Sequence, residues 1–100
     1  FQELPYGIST PELRMPLKED DHIKFMKEFS KNISTINADI INIDGIRAEY
    51  EDGWGLVRPS NTSPFIIFRF EGDDNSALDR IKRDFRNIIE AVDNNLNAPF

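Results

Sequence analysis

Asp52-Gly53-Trp54-Gly55-Leu56-Val57-Arg58-Pro59-Ser60-Asn61-Thr62-Ser63-Pro64 reads as a turn, a strand and then a loop crowded with anion-binding groups. Just upstream, Ile46, Ala48 and Tyr50 alternate with Arg47, Glu49 and Glu51, the pattern of a strand with one dry face and one wet face. Asp52-Gly53 is expected to close a hairpin, because glycine accepts the positive φ of such turns, and Trp54 to Arg58 returns as the partner strand. Phe65 to Phe70, apolar except for Arg69, should be the most buried strand of the sheet. The loop between these two strands thus sits at a strand end.

Further out, Tyr6 to Pro11 mixes Gly, Ser, Thr and Pro and reads as a linker or approach loop. Glu12 to Leu17 alternates apolar residues at 13, 15 and 17, and Pro16, which cannot donate a ladder hydrogen bond, marks it as an edge strand. Glu19, Asp20 and Asp21 place negative charge where a helix start is partly positive. Ile23, Met26, Phe29 or Ser30, and Ile33 follow at helical spacing, predicting a helix over about 20–32. Ile36 to Ile43 alternates imperfectly and is compatible with a short strand before an Asp44-Gly45 turn. Asp73, Asp74, Asn75 and Ser76 are capping candidates for a second helix whose Leu78, Ile81, Phe85, Ile88, Ile89 and Val92 form one apolar stripe. Two helices, each apolar on one face, and four to five mostly antiparallel strands make a two-layer α+β domain with both helices on one sheet face.

The chemistry concentrates in the loop. Arg58 offers a planar fork of donors suited to two phosphate oxygens, and Ser60, Asn61 and Thr62 add a hydroxyl, an amide and a second hydroxyl. Pro59 and Pro64 fix φ at either end, so the donors are held in a bounded loop that gives up less entropy when an anion arrives. By composition alone the same residues also suit a polar turn that bonds its own backbone.

The stretches Asp44-Gly45-Ile46-Arg47, Asp52-Gly53-Trp54-Gly55-Leu56-Val57-Arg58 and Pro59-Ser60-Asn61-Thr62-Ser63-Pro64 resemble the C-terminal domain of the α-D-phosphohexomutases, in their phosphomannomutase/phosphoglucomutase branch. The likeness runs from Ile8-Ser9-Thr10-Pro11-Glu12-Leu13 to Ala98-Pro99-Phe100. It implies a TATA-binding-protein-like fold, with no implication of DNA binding. It implies residues 1–11 as an approach segment, 12–96 as the substrate-phosphate-binding domain and 97–100 as a tail. It gives Arg58, Ser60, Asn61 and Thr62 the task of holding the phosphate of a hexose 1- or 6-phosphate that is not being transferred. Ser63 departs from the family, many of whose members carry an acid there. The family's active-site serine and its Asp-Gly-Asp magnesium loop are absent from these 100 residues, so the resemblance places magnesium and the transferring serine on another domain. No catalytic residue and no metal ligand is expected in this chain, which alone should be inactive. A phosphoglucosamine mutase domain, a phospho-ligand-binding module without chemistry and a purely structural domain are the alternatives.

One hundred residues suffice for one modest core, removing roughly 60 to 65% of the unfolded chain's surface from water. The net charge of −6 argues against nucleic acid, whose affinity comes largely from Lys and Arg replacing counterions. A phosphate site survives that charge because Arg58 is the only ionisable residue between Gly53 and Pro64, and distant charges are screened beyond about 10 Å. No apolar run approaches the ~20 residues of a membrane span. The lack of cysteine and of an export signal fits a cytoplasmic protein, and the start at Phe1 is read as that of a fragment of a longer chain. His22, the only histidine, is expected at an exposed helix start, too remote in sequence from the hydroxyl-rich loop to build a triad. Glu19-Asp20-Asp21, Glu49-Glu51-Asp52 and Asp73-Asp74 coincide with helix starts and turns and are read as solvated acids.

Overall fold

The computed structural model describes residues 7–18, 21–42, 45–60 and 64–100. In chain order these form β1 (Ile8–Ser9), β2 (Leu13–Pro16), α1 (Asp21–Asn32), a 3-10 turn (Ile33–Thr35), β3 (Asp39–Ile41), β4 (Ile46–Tyr50), β5 (Gly53–Pro59), β6 (Phe65–Gly72) and α2 (Asn75–Val92). All pairings are antiparallel, in the order β1-β6-β5-β4-β3, with β2 on the same edge of β6 as β1. The α+β expectation holds, with one more strand than the sequence pattern indicated.

That extra strand lies in the expected approach segment. Ile8 and Ser9 pair with Gly72 and Glu71, while Leu13 pairs with Phe68, so residues 10–12 face only 69 and 70. This is a bulge, and Thr10 makes good the interrupted ladder: its N–H donates to the Phe70 carbonyl at 2.9 Å and its Oγ1 accepts from the Phe70 N–H at 3.1 Å. A chain free to pivot between Ile8 and Pro11 would lose these bonds. The tail is docked as well: Phe100 sets its ring edge-on against Phe68 and Phe70, at 5.0 and 4.7 Å.

Both helices lie on the face formed by Met15, Ile46, Ala48, Val57, Ile66, Phe68 and Phe70. The α2 stripe is buried as expected from Leu78 to Ile89, with Ala77 added and Val92 only partly buried, and Asp74 caps the helix by accepting the Ala77 N–H at 2.8 Å. In α1 the buried positions are Phe25 and Phe29, continued by Ile33, while Ile23 is 66% exposed. The phase is set by Phe29, whose ring lies 5.6 Å from that of Phe85 on α2.

The β4–β5 turn is correct in place but not in cause. Tyr50 pairs with Gly53, which leaves Glu51 and Asp52 as the turn residues, and Gly45 is the only positive-φ glycine among the described residues. Gly53 and Gly55 are bare for another reason. A Cβ on Gly53 would stand 2.2 Å from the Glu71 carbonyl oxygen on β6 and 2.7 Å from Ile81 Cδ1, and one on Gly55 would stand 2.7 Å from the Phe85 ring. The Gly-Trp-Gly run is a seat for α2, with Ile81 and Phe85 one helical turn apart.

Candidate phosphate-binding site

Alternation along β5 sends Val57 into the core, fully buried, and leaves Arg58 on the sheet face away from the helices. The ladder then stops. Pro59 pairs with Ile66, the Ser60 N–H donates to the Phe65 carbonyl at 2.9 Å, and the Leu17 N–H holds the Pro64 carbonyl at 2.7 Å. Both ends of the loop are therefore tied to the sheet. The Ser60 amide is spent on the hairpin, so what Ser60 can offer an anion is its hydroxyl. Asn61 and Thr62, and Ser63 beside them, lie outside the described residues. The structure thus places Arg58 and Ser60 together at the loop's base.

Two neighbours of Arg58 were not legible in the pattern. Gly45, at φ 130°, lies tight against the strand: a Cβ there would come within 2.6 Å of the Val57 carbonyl oxygen and 2.7 Å of Arg58 Cβ. Glu12, in the bulge beside β2, reaches Arg58 Nη2 with Oε1 at 3.4 Å. The signal for Glu12 existed only as an acid on an edge segment, with nothing in the sequence to join it to a residue 46 positions away.

Register gives this open face its charge. Arg58 and Arg14 both stand opposite Ile67, and Arg47 and Arg69 both stand opposite Leu56. Trp54 is buried on the same face, with the Arg47 guanidinium 5.4 Å and that of Arg69 6.0 Å from its ring centroid. The structure gives Trp54 a packing role. Glu12, Glu49 and Glu71 offset part of the arginine charge, with Glu49 paired to Arg47 at 2.8 Å. The face around Arg58 is locally rich in cations within an acidic chain.

The other polar cluster lies at the opposite end of β5. Arg80 donates to Asp52, which holds that carboxyl below the usual carboxylate range, and Tyr50 donates to Asp84 at 3.0 Å. The hollow beside them is lined by Asp39, Glu49, Glu51, Asp52 and Asp84 as well as Arg80, a surface that repels phosphate. His22 is on α1, in the layer away from Arg58. Burial, then the neighbouring Asp84 charge, drives the Tyr50 hydroxyl's pKa far above its ordinary value near 10. A proton held more tightly in the folded state gives stability that is fully present below about pH 10 and is lost as pH rises further. Tyr50→Phe should therefore cost about 1 kcal/mol at neutral pH and flatten the loss of stability between about pH 10 and 11, read from urea unfolding at each pH. An equally steep alkaline limb in the variant would assign it to other groups.

A family model described as phosphoglucomutase/phosphomannomutase, C-terminal domain, matches residues 12–88. The chain is 41% identical over all 100 residues to a phosphomannomutase/phosphoglucomutase of Pseudomonas aeruginosa, covering 22% of that protein. It is 42% identical over 96 residues to a phosphoglucomutase of Neisseria meningitidis, covering 94% of this chain and 21% of that one. The crystal structure of a phosphoglucomutase/phosphomannomutase family protein from Burkholderia thailandensis superposes with a TM-score of 0.84 at 39% identity, over 97% of this chain and 20% of that one. The chain spans about a fifth of the length of these relatives. With its six-stranded antiparallel sheet, two helices on one face and Arg58 at the base of the β5–β6 loop, the chain belongs to the phosphoglucomutase/phosphomannomutase C-terminal domain family.

Proposed function

We propose that this chain is the substrate-phosphate-binding domain of a phosphohexomutase that interconverts hexose 1- and 6-phosphates of mannose and glucose. Arg58, Ser60, Asn61 and Thr62 hold the phosphate that is not being transferred, while phosphoryl transfer through a hexose 1,6-bisphosphate takes place on another domain. The observation that carries this reading is Arg58 on the open sheet face at the base of a loop tied at both ends, in a domain of this family. One anchor serves both substrate orientations, because either phosphate can be the idle one, and its binding energy positions the reacting end without touching it. Ile8 and Ser9 are laddered to β6, which argues against a hinge at these two residues.

Magnesium belongs to the reaction as the family resemblance describes it. Among the described residues no three His, Asp or Glu side chains come together in a way that would hold a metal ion, and no step here is routed through one. No described helix is long and apolar enough to cross a membrane.

The test is a titration of glucose 1-phosphate into the ¹⁵N-labelled chain, carried to high millimolar concentration. Amide shifts confined to Arg58, Ser60 and the loop that follows are expected. Shifts that are absent, or that centre on the Tyr50–Asp84 end, would overturn the assignment.

A further inference from the structure

A carboxylate holds Arg58. Its partner, Glu12, is itself an anion, and it reaches Arg58 from across β6. In an unbroken strand the side chain before Leu13 would stand over Arg69; the bulge at residues 10–12, fixed by the two bonds between Thr10 and Phe70, changes that course. The contact runs through one nitrogen and one oxygen at 3.4 Å, well beyond the roughly 2.7–2.9 Å of a strong charge-assisted bond, and both side chains are partly exposed, Arg58 at 33% and Glu12 at 44%. An ion pair of this kind is weak. It is strong enough to park a long side chain and weak enough to be exchanged.

We propose that Glu12 is a positioning residue for the phosphate site: it occupies Arg58 in the ligand-free domain and is displaced when the phosphate of a sugar phosphate takes the guanidinium. The proposal rests on Arg58 being a phosphate ligand. It assigns to the bulge a purpose beyond sheet geometry, the delivery of a competing carboxylate to the site. A resting carboxylate lowers the affinity for phosphate and so eases release, which matters to an anchor that must let go of one end of a bisphosphate and take up the other. No covalent step is involved; one anionic partner of the guanidinium replaces another.

The experiment titrates glucose 1-phosphate into four forms of the chain, the wild type, Glu12→Gln, Arg58→Ala and the double variant, following the Ser60 amide. Glu12→Gln is expected to bind about threefold more tightly, the size a weak exposed ion pair allows, with the advantage shrinking as salt is raised. The double variant is expected to match Arg58→Ala, because Glu12 acts through Arg58. Affinity in Glu12→Gln equal to or weaker than that of the wild type, while Arg58→Ala still weakens binding, would overturn the inference and leave the phosphate site standing. Unchanged binding in Arg58→Ala would instead remove the site itself. Tightening by Glu12→Gln that persists in the Arg58→Ala background would also overturn the inference, since Glu12 would then be repelling the ligand directly.

Discussion

Arg58→Ala, placed in the enzyme that carries this domain, is expected to lower kcat/KM for glucose 1-phosphate at least tenfold. A charge-assisted hydrogen bond contributes about 1.5 to 3 kcal/mol, and about 1.4 kcal/mol is a factor of ten, so losing even one such bond reaches that threshold. On the proposed function the idle phosphate keeps its charge through the reaction, which makes the hold common to ground and transition states; the larger share of the loss should therefore fall on KM. A smaller fall in kcat is expected too, because a substrate tethered at one end only loosely presents its other end less well. Arg58→Lys should recover part of the loss, since it restores charge without the planar fork. Folding is not the explanation available to a sceptic. Arg58 lies on the open face, and its pair with Glu12 is partly exposed, so its removal costs at most about 1 kcal/mol of stability. Kinetics unchanged by Arg58→Ala, with the protein folded, would end the assignment.

What could be read from the sequence divides along a physical line. Features carried by contiguous residues were legible: the β4–β5 alternation, the α2 stripe and the place of Arg58 and Ser60 at the end of β5. Features decided by a distant partner were not. Ile23 and Phe25 each begin an acceptable apolar stripe in a twelve-residue helix, and only contact with Phe85 on α2 selects the second, burying Phe29 and leaving Ile23 in water. Ile8 and Ser9 lie among Gly, Thr and Pro and have no strand pattern of their own; they become a strand because the far end of β6 offers them an edge. Glu12 joins the candidate site for the same kind of reason, through a bulge that no local pattern announces. Gly53 was legible as a glycine but misassigned, because a turn and a close backbone approach ask for the same residue. The resemblance to the phosphohexomutases named the fold and the loop, yet it did not show which way the Arg58 side chain rests.

Gly53→Ala is expected to be the most damaging single methyl addition in β5, costing about 3 kcal/mol, the upper part of the range for overpacking. The new Cβ would stand 2.2 Å from the Glu71 carbonyl oxygen and 2.9 Å from Gly72 Cα, as well as 2.7 Å from Ile81 Cδ1. The Ile81 methyl can rotate aside. The β6 backbone cannot, because Gly53 pairs with Gly72, Trp54 pairs with Glu71, and the Asp73 N–H is bonded to the Asp52 carbonyl at 2.8 Å just beyond. Gly55→Ala should be milder, about 1 to 2 kcal/mol, since its close neighbours are side-chain atoms of Phe85 at 2.7 Å and Phe70 at 3.1 Å, which have some freedom to move. The substitution that separates a turn glycine from a seat glycine is Gly53→Asn. Asparagine tolerates positive φ and is welcome in hairpin turns, so a conformational requirement would be met by it, whereas a steric one would be made worse. Urea unfolding should therefore rank Gly53→Asn below Gly53→Ala, with both below Gly55→Ala. Near-wild-type stability in Gly53→Asn would return Gly53 to the turn and remove the steric requirement ascribed to the β6 backbone.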